Sequence, residues 1–161
     1  MLKKLFFIAV LPVILFACAK KTDTVATDCN NTGVPDSTEI KVLQSYLKTN
    51  SITAMQDNRG FFYVISTPGS GATPTLSSTV TVQYTGKLFN GTTFDSNNSA
   101  AGLSFPLSQV ITGWQLGVPL IKKGGSITLY LPPSLAYGCN GSGPIPPNAP
   151  LIFTINLLNV Q

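Results

Sequence analysis

Thr79-Val80-Thr81-Val82-Gln83-Tyr84-Thr85-Gly86-Lys87-Leu88-Phe89-Asn90-Gly91-Thr92-Thr93-Phe94-Asp95 decides how this chain folds. Val80, Val82 and Tyr84 alternate with Thr79, Thr81, Gln83 and Thr85, the period of a strand with one buried face. Asn90-Gly91 stands between Leu88-Phe89 and Thr92-Thr93-Phe94, and such a dipeptide supplies the positive φ angles of a tight hairpin turn. The same alternation recurs downstream. Ile127, Leu129 and Leu131 alternate with Ser126, Thr128 and Tyr130, and Leu151, Phe153, Ile155 and Leu157 share one face of a last strand. Upstream, the aromatic-rich run Phe61 to Ser66, bounded by Gly60 and Pro68-Gly69, reads as a further strand, and Pro68 to Ser78 as a loop. Inside this region one short helix fits, around Gly113 to Leu116, because Gly117 and Pro119 confine it. The expected class is α+β: an antiparallel β-sheet wrapped around one short helix, with Trp114 as the bulkiest filler for its apolar face.

Outward from that domain, assigned to residues 60–161, the chain changes character. Lys3 and Lys4 precede an apolar run from Leu5 to Phe16, too short to span a bilayer and laid out as a secretory signal over residues 1–17. Leu15-Phe16-Ala17-Cys18 resembles the bacterial lipoprotein cleavage box, which implies an acylated Cys18 as the first residue of the mature chain. The expected location follows: exported and lipid-anchored to the bacterial cell envelope, at the outer membrane, with its side left open. Residues 18–35 are polar and read as a lipidated flexible tether. Residues 36–59 hold a helix and a lead-in. Asp36-Ser37-Thr38-Glu39 is the pattern of a capping box, and Ile40, Leu43, Tyr46 and Leu47 recur at helical spacing. With Cys18 assigned to lipid, Cys29 and Cys139 remain, a pair in an exported protein, where disulfides persist.

The chemistry inside the domain is sparse. The whole chain has no histidine, which removes histidine triads and most zinc sites; no metal and no cofactor is expected. From Gly60 onward Asp95 is the sole acidic residue, and Lys87, Lys122 and Lys123 are the basic ones, so there is no carboxylate pair and no basic cluster for nucleic acid. Aromatic and aliphatic residues beside loops remain. Rotation about an X-Pro bond is a chemistry that needs an apolar pocket and no nucleophile. Its barrier, about 18–20 kcal/mol, is the resonance of a planar amide. The twisted transition state has lost that resonance and is less polar, so a dry pocket favours it over the planar ground state. Taken singly, Trp114, Phe105 and Phe153 read as ordinary core residues, Asp95 as a turn cap, and Tyr84 and Tyr137 as interior tyrosines.

Taken together they form a pattern. Val82-Gln83-Tyr84-Thr85-Gly86, Gly91-Thr92-Thr93-Phe94-Asp95-Ser96, Val110-Ile111-Thr112-Gly113-Trp114, Ala136-Tyr137-Gly138 and Ile145-Pro146-Pro147-Asn148-Ala149 resemble, in order and spacing, the FKBP family of peptidyl-prolyl isomerases. The resemblance implies that Trp114 floors the pocket, with Tyr84, Phe94, Phe105, Val110, Ile111 and Phe153 as walls. It implies that the Ile111 amide and the Tyr137 hydroxyl donate to substrate carbonyls, that Asp95 is a polar rim group, and that Ile145 lies on an overhanging loop. The implied partners are proline-containing unfolded or partly folded proteins and macrolide ligands, with the membrane engaged through the lipid anchor. The short loop Cys139-Asn140-Gly141-Ser142-Gly143-Pro144 departs from the family pattern. The alternative function is a non-catalytic peptide-binding or chaperone module on the same fold; a purely structural envelope lipoprotein would not need Trp114 and Tyr137 in these motifs.

Overall fold

The computed structural model describes residues 33–161; Cys18 and Cys29, and with them the signal and most of the tether, lie outside the described residues. Asp36 caps helix α1 (Ser37–Thr49), its carboxylate accepting from the amides of Thr38 and Glu39 at 2.7 and 2.8 Å. Glu39 accepts from the Asp36 amide at 3.2 Å, which completes the capping box the sequence pattern called for. Leu43 and Leu47 are buried from the stripe, with Ile40 and Tyr46 packed beside them.

Among the described residues, seven strands make one antiparallel sheet: β1 (Met55–Gln56), β2 (Phe62–Thr67), β3 (Thr79–Leu88), β4 (Thr93–Asn97), β5 (Leu103–Pro106), β6 (Ser126–Leu131) and β7 (Leu151–Val160). Their order across the sheet is β1-β2-β6-β7-β3-β4, and β5 also pairs with β3. β4 and β5 divide one edge between them, β4 facing Tyr84–Lys87 and β5 facing Thr79–Val82. Helix α2 (Thr112–Gly117) stands where one short helix was expected.

The alternation of β2, β6 and β7 assigns each face its cover. Val80, Val82, Leu129, Leu131, Phe153 and Ile155 point to the side of Trp114 on α2. Phe62, Tyr130 and Ile152, one residue out of phase, point to Leu43 and Leu47 on α1. The helix α2 sits close to the sheet because glycines face it. A Cβ on Gly113 would overlap the side chain of Leu131, and one on Gly117 would come within 2.6 Å of Leu129.

Three features differ from the reading of the sequence. The β3–β4 hairpin closes through Phe89, Asn90 and Gly91: Leu88 donates to the Thr92 carbonyl, and Gly91 donates to the Leu88 carbonyl, both at 2.9 Å. Of the dipeptide only Gly91 has a positive φ, 87°, so the loop is a turn followed by a left-handed residue and not a two-residue turn. The sheet also reaches back before residue 60, since β1 pairs Met55 with Tyr63 and Gln56 with Phe62. The strand β5 is the third addition; its four residues are mostly exposed.

Candidate active site

The cleft lies over α2, at the part of the sheet where β3, β4, β5 and β7 meet it. β3 contributes Tyr84, and the hairpin register, with Gly86 opposite Asp95, brings Asp95 alongside. β5 contributes Phe105, and β7 contributes Phe153. The segment leading into α2 contributes Gln109, Val110 and Ile111. Trp114 follows on the helix and Tyr137 on the connection from β6 to β7. These residues enclose about 330 Å³.

Trp114 is the floor, only 4% exposed. Three rings meet it edge-on: Tyr84 with centroids 5.3 Å apart and planes at 79°, Phe153 at 5.3 Å and 89°, and Phe105 at 6.1 Å and 89°. Edge-to-face packing of this kind is favourable beyond the area it buries. It also fixes the orientation of the indole. The Trp114 Nε1 is buried with no hydrogen-bond partner among the described residues. The segment above the floor is held by Gln115, whose side-chain amide donates to the Val110 carbonyl at 2.8 Å.

Polarity is confined to few groups. The Tyr84 hydroxyl donates to Asp95 Oδ2 at 2.7 Å. Burial pushes the Tyr84 phenol up to about 12, helped by the hydrogen bond to Asp95 and by the charge of that carboxylate. Tyr137 is also raised, first by burial and then by Asp95. Both phenols therefore keep their protons throughout the neutral range, and a group entering the cleft meets donors, aromatic faces and one carboxylate that is already engaged. No base stands next to a nucleophile here. The arrangement is suited to binding, desolvating and orienting a group that enters it.

The structure brings together Tyr84, Asp95, Phe105, Val110, Ile111, Trp114, Tyr137 and Phe153, as the motifs implied. Phe94 and Ile145 stand behind the lining. Phe94 packs edge-on against Phe153 at 5.5 Å, in space that exists because residue 86 is glycine: a Cβ there would lie 2.6 Å from its ring. Ile145 is 6% exposed and packs into the core, its amide and carbonyl paired with Ser142, so it anchors the loop more than it overhangs the cleft. Gln109 lines the cleft and was not anticipated. Cys139 follows Gly138 on the connection from β6 to β7, and Cys29, expected to pair with it, lies outside the described residues.

The described residues thus form an antiparallel sheet wrapped on a short helix, with an aromatic cleft above it. The model of the FKBP-type peptidyl-prolyl cis-trans isomerases matches residues 71–158, and the chain belongs to that family. It is 48% identical over 103 residues to a probable FKBP-type peptidyl-prolyl cis-trans isomerase, FkpA, of Neisseria meningitidis, covering 63% of this chain and 38% of that one. It is 45% identical over 104 residues to the peptidyl-prolyl cis-trans isomerase Mip of Coxiella burnetii, covering 63% and 45%. The chain thus spans less than half the length of these relatives. Among solved structures, FkpA of Escherichia coli superimposes with a TM-score of 0.70 at 38% identity, covering 77% of this chain and 60% of that one. A peptidyl-prolyl cis-trans isomerase of Pseudomonas syringae gives 0.67 at 29%, covering 80% and 97%.

Proposed function

We propose that this protein is a peptidyl-prolyl cis/trans isomerase that assists the folding of exported proteins. The observation that carries the reading is the cleft itself, an aromatic floor and walls around Trp114 with phenol donors at the rim. A proline ring seated on Trp114 leaves its water behind. The planar amide, the more polar form, loses more solvation there than the twisted one, so the barrier falls. The Tyr137 hydroxyl and the Ile111 amide hold the flanking carbonyls, and Asp95 holds Tyr84 in the wall. Slow X-Pro isomerisation limits the folding of many chains, so unfolded or partly folded proline-containing proteins are the substrates. Macrolides that present an apolar ring and flanking carbonyls would compete for the same cleft.

The test is the cis-to-trans rate of a short X-Pro peptide with purified protein. Acceleration in proportion to protein concentration is expected. Peptide binding without acceleration would favour the non-catalytic binding module instead.

The reading includes the cell envelope. Cys18 carries the acyl chains, residues 18–35 tether the domain at the outer membrane, and Cys29 and Cys139 form a disulfide. The support is Leu15-Phe16-Ala17-Cys18 and the basic, apolar segment before it. Cys18→Ser should abolish fatty-acid labelling and leave unprocessed protein; labelling and fractionation identical to the parent would end the lipoprotein reading.

A further inference from the structure

Glu39 serves more than its own helix. Its Oε2 accepts from the Asp36 amide, which is all the capping box requires. Yet Oε1 also accepts from the amide of Ser134 at 3.0 Å, and Oε2 from the Ser134 hydroxyl at 2.7 Å. These two bonds cross 95 residues of sequence. They end on the 3₁₀ turn Pro133–Leu135. An amide at the start of so short a turn has no carbonyl of that turn to donate to, and the carboxylate of α1 meets it.

From that turn the connection to the cleft is direct. The Pro133 carbonyl accepts from the amides of Ala136 and Gly138, at 2.9 and 2.8 Å. Those amides flank Tyr137, whose ring lines the cleft. The same helix also touches the hairpin that carries Asp95. Tyr46 stacks on Phe89 with centroids 3.9 Å apart, and Phe89 is in the turn of the hairpin that carries Asp95. Helix α1 therefore contacts both pieces of chain that bring polar side chains to the rim. Its apolar contacts through Leu43 and Leu47 are non-directional and tolerate sliding. The bonds that Ser134 donates to Glu39 are charge-assisted and directional, and a small shift breaks them.

We infer that Glu39 is a positioning residue for the isomerase site: through Ser134 and the Pro133–Leu135 turn it sets where the Tyr137 hydroxyl meets the substrate. The inference rests on the reading of the cleft as an isomerase site, and it gives the N-terminal helix a part in turnover beyond carrying the domain.

Two substitutions separate the link from the cap. Glu39→Asp keeps a carboxylate in the first helical turn but is one methylene too short to reach Ser134. Glu39→Gln keeps the length and one acceptor: its carbonyl oxygen takes the Ser134 amide and its NH2 donates to the Ser134 hydroxyl oxygen, at the expense of the bond from the Asp36 amide. Turnover of an X-Pro peptide would be measured for the full chain with each substitution, in the parent and in a Tyr137→Phe background, together with hydrogen exchange at the Ala136 and Gly138 amides. Glu39→Asp should lower kcat by about two- to ten-fold, the range of one hydrogen bond, with KM little changed. Exchange at the two amides should quicken, Glu39→Gln should recover most of the rate, and Glu39→Asp should cost nothing further once Tyr137 is Phe. Turnover unaffected by Glu39→Asp overturns the inference, and so does an equal loss in both backgrounds. A parent without turnover sinks the isomerase reading, and exchange at Ala136 and Gly138 then decides the link to the Tyr137 segment alone.

Discussion

Tyr137 and Trp114 divide the labour of the cleft between a donor and an apolar surface. The indole packs near-perpendicular to the rings of Tyr84, Phe105 and Phe153, while the Tyr137 phenol, kept protonated by burial and by Asp95, lines the same cleft. Removing the hydroxyl alone removes one donor and almost no volume. Tyr137→Phe should therefore leave melting nearly unchanged and reduce kcat/KM by the worth of one hydrogen bond, about 0.5–1.5 kcal/mol. Steady-state rates on an X-Pro peptide measure it, and a rate equal to the parent's would take Tyr137 out of the site. At this scale the sequence names residues well and their relations poorly. Tyr84 and Asp95 are both legible from their motifs, but the 2.7 Å bond between them depends on a hairpin register that spacing does not specify. Phe94 carries the same aromatic signal as Phe153, and only the space over Gly86 places it one layer behind. Gln109 ends the 3₁₀ turn Leu107–Gln109, with no period or motif to mark it as part of a site.

Among the elements, α2 is the one whose position matters most, because it carries the floor. Its approach to β6 depends on Gly113 and Gly117 having no side chains. Gly113→Ala adds a methyl group directly against Leu131, a residue with no exposure in the core. Either α2 lifts or Leu131 leaves its rotamer, and overpacking of this kind costs about 1–3 kcal/mol. Lower stability in thermal or denaturant unfolding is expected, with weaker peptide binding because Trp114 moves with the helix. Unchanged stability and binding would mean that α2 is not packed through this glycine. The strands β3 and β7 are legible because each alternates over a buried face and a more open one, and β6 because Ile127, Leu129 and Leu131 keep that period although Tyr130 on the other face is buried too. β1 and β5 are not: β1 has two residues, both exposed, and β5 has four, ending in Pro106. Such strands exist because a neighbour's edge is available to pair with, and that is tertiary information. The hairpin turn is the intermediate case. Asn90-Gly91 located it, but the register placed Gly91 alone in the left-handed region.

For the molecule as a whole, the remaining question is what the N-terminal segment does to the domain it precedes. Helix α1 already reaches the connection between β6 and β7 through Glu39 and Ser134. Cys139 lies farther along that connection, after Gly138, whose amide is held by the Pro133 carbonyl. In the proposed pairing Cys29 closes a covalent loop onto the same stretch of chain. The loop is long, so in the chain-entropy model the bond stabilises by as much as roughly 4–5 kcal/mol, an upper figure because residual structure in the unfolded chain reduces it. Reduction should then lower the melting temperature and quicken hydrogen exchange from Tyr137 to Ile145, where Ser142 and Ile145 pair across the loop. Turnover should fall less than in Tyr137→Phe, because the phenol keeps its turn, its half-buried ring and the hold of Glu39 on Ser134. Intact mass of unreduced protein, before and after alkylation, reads the bond directly. Two alkylated thiols at Cys29 and Cys139 in protein taken from the envelope would remove the bond, and a melting temperature unmoved by reductant would remove its part in stability.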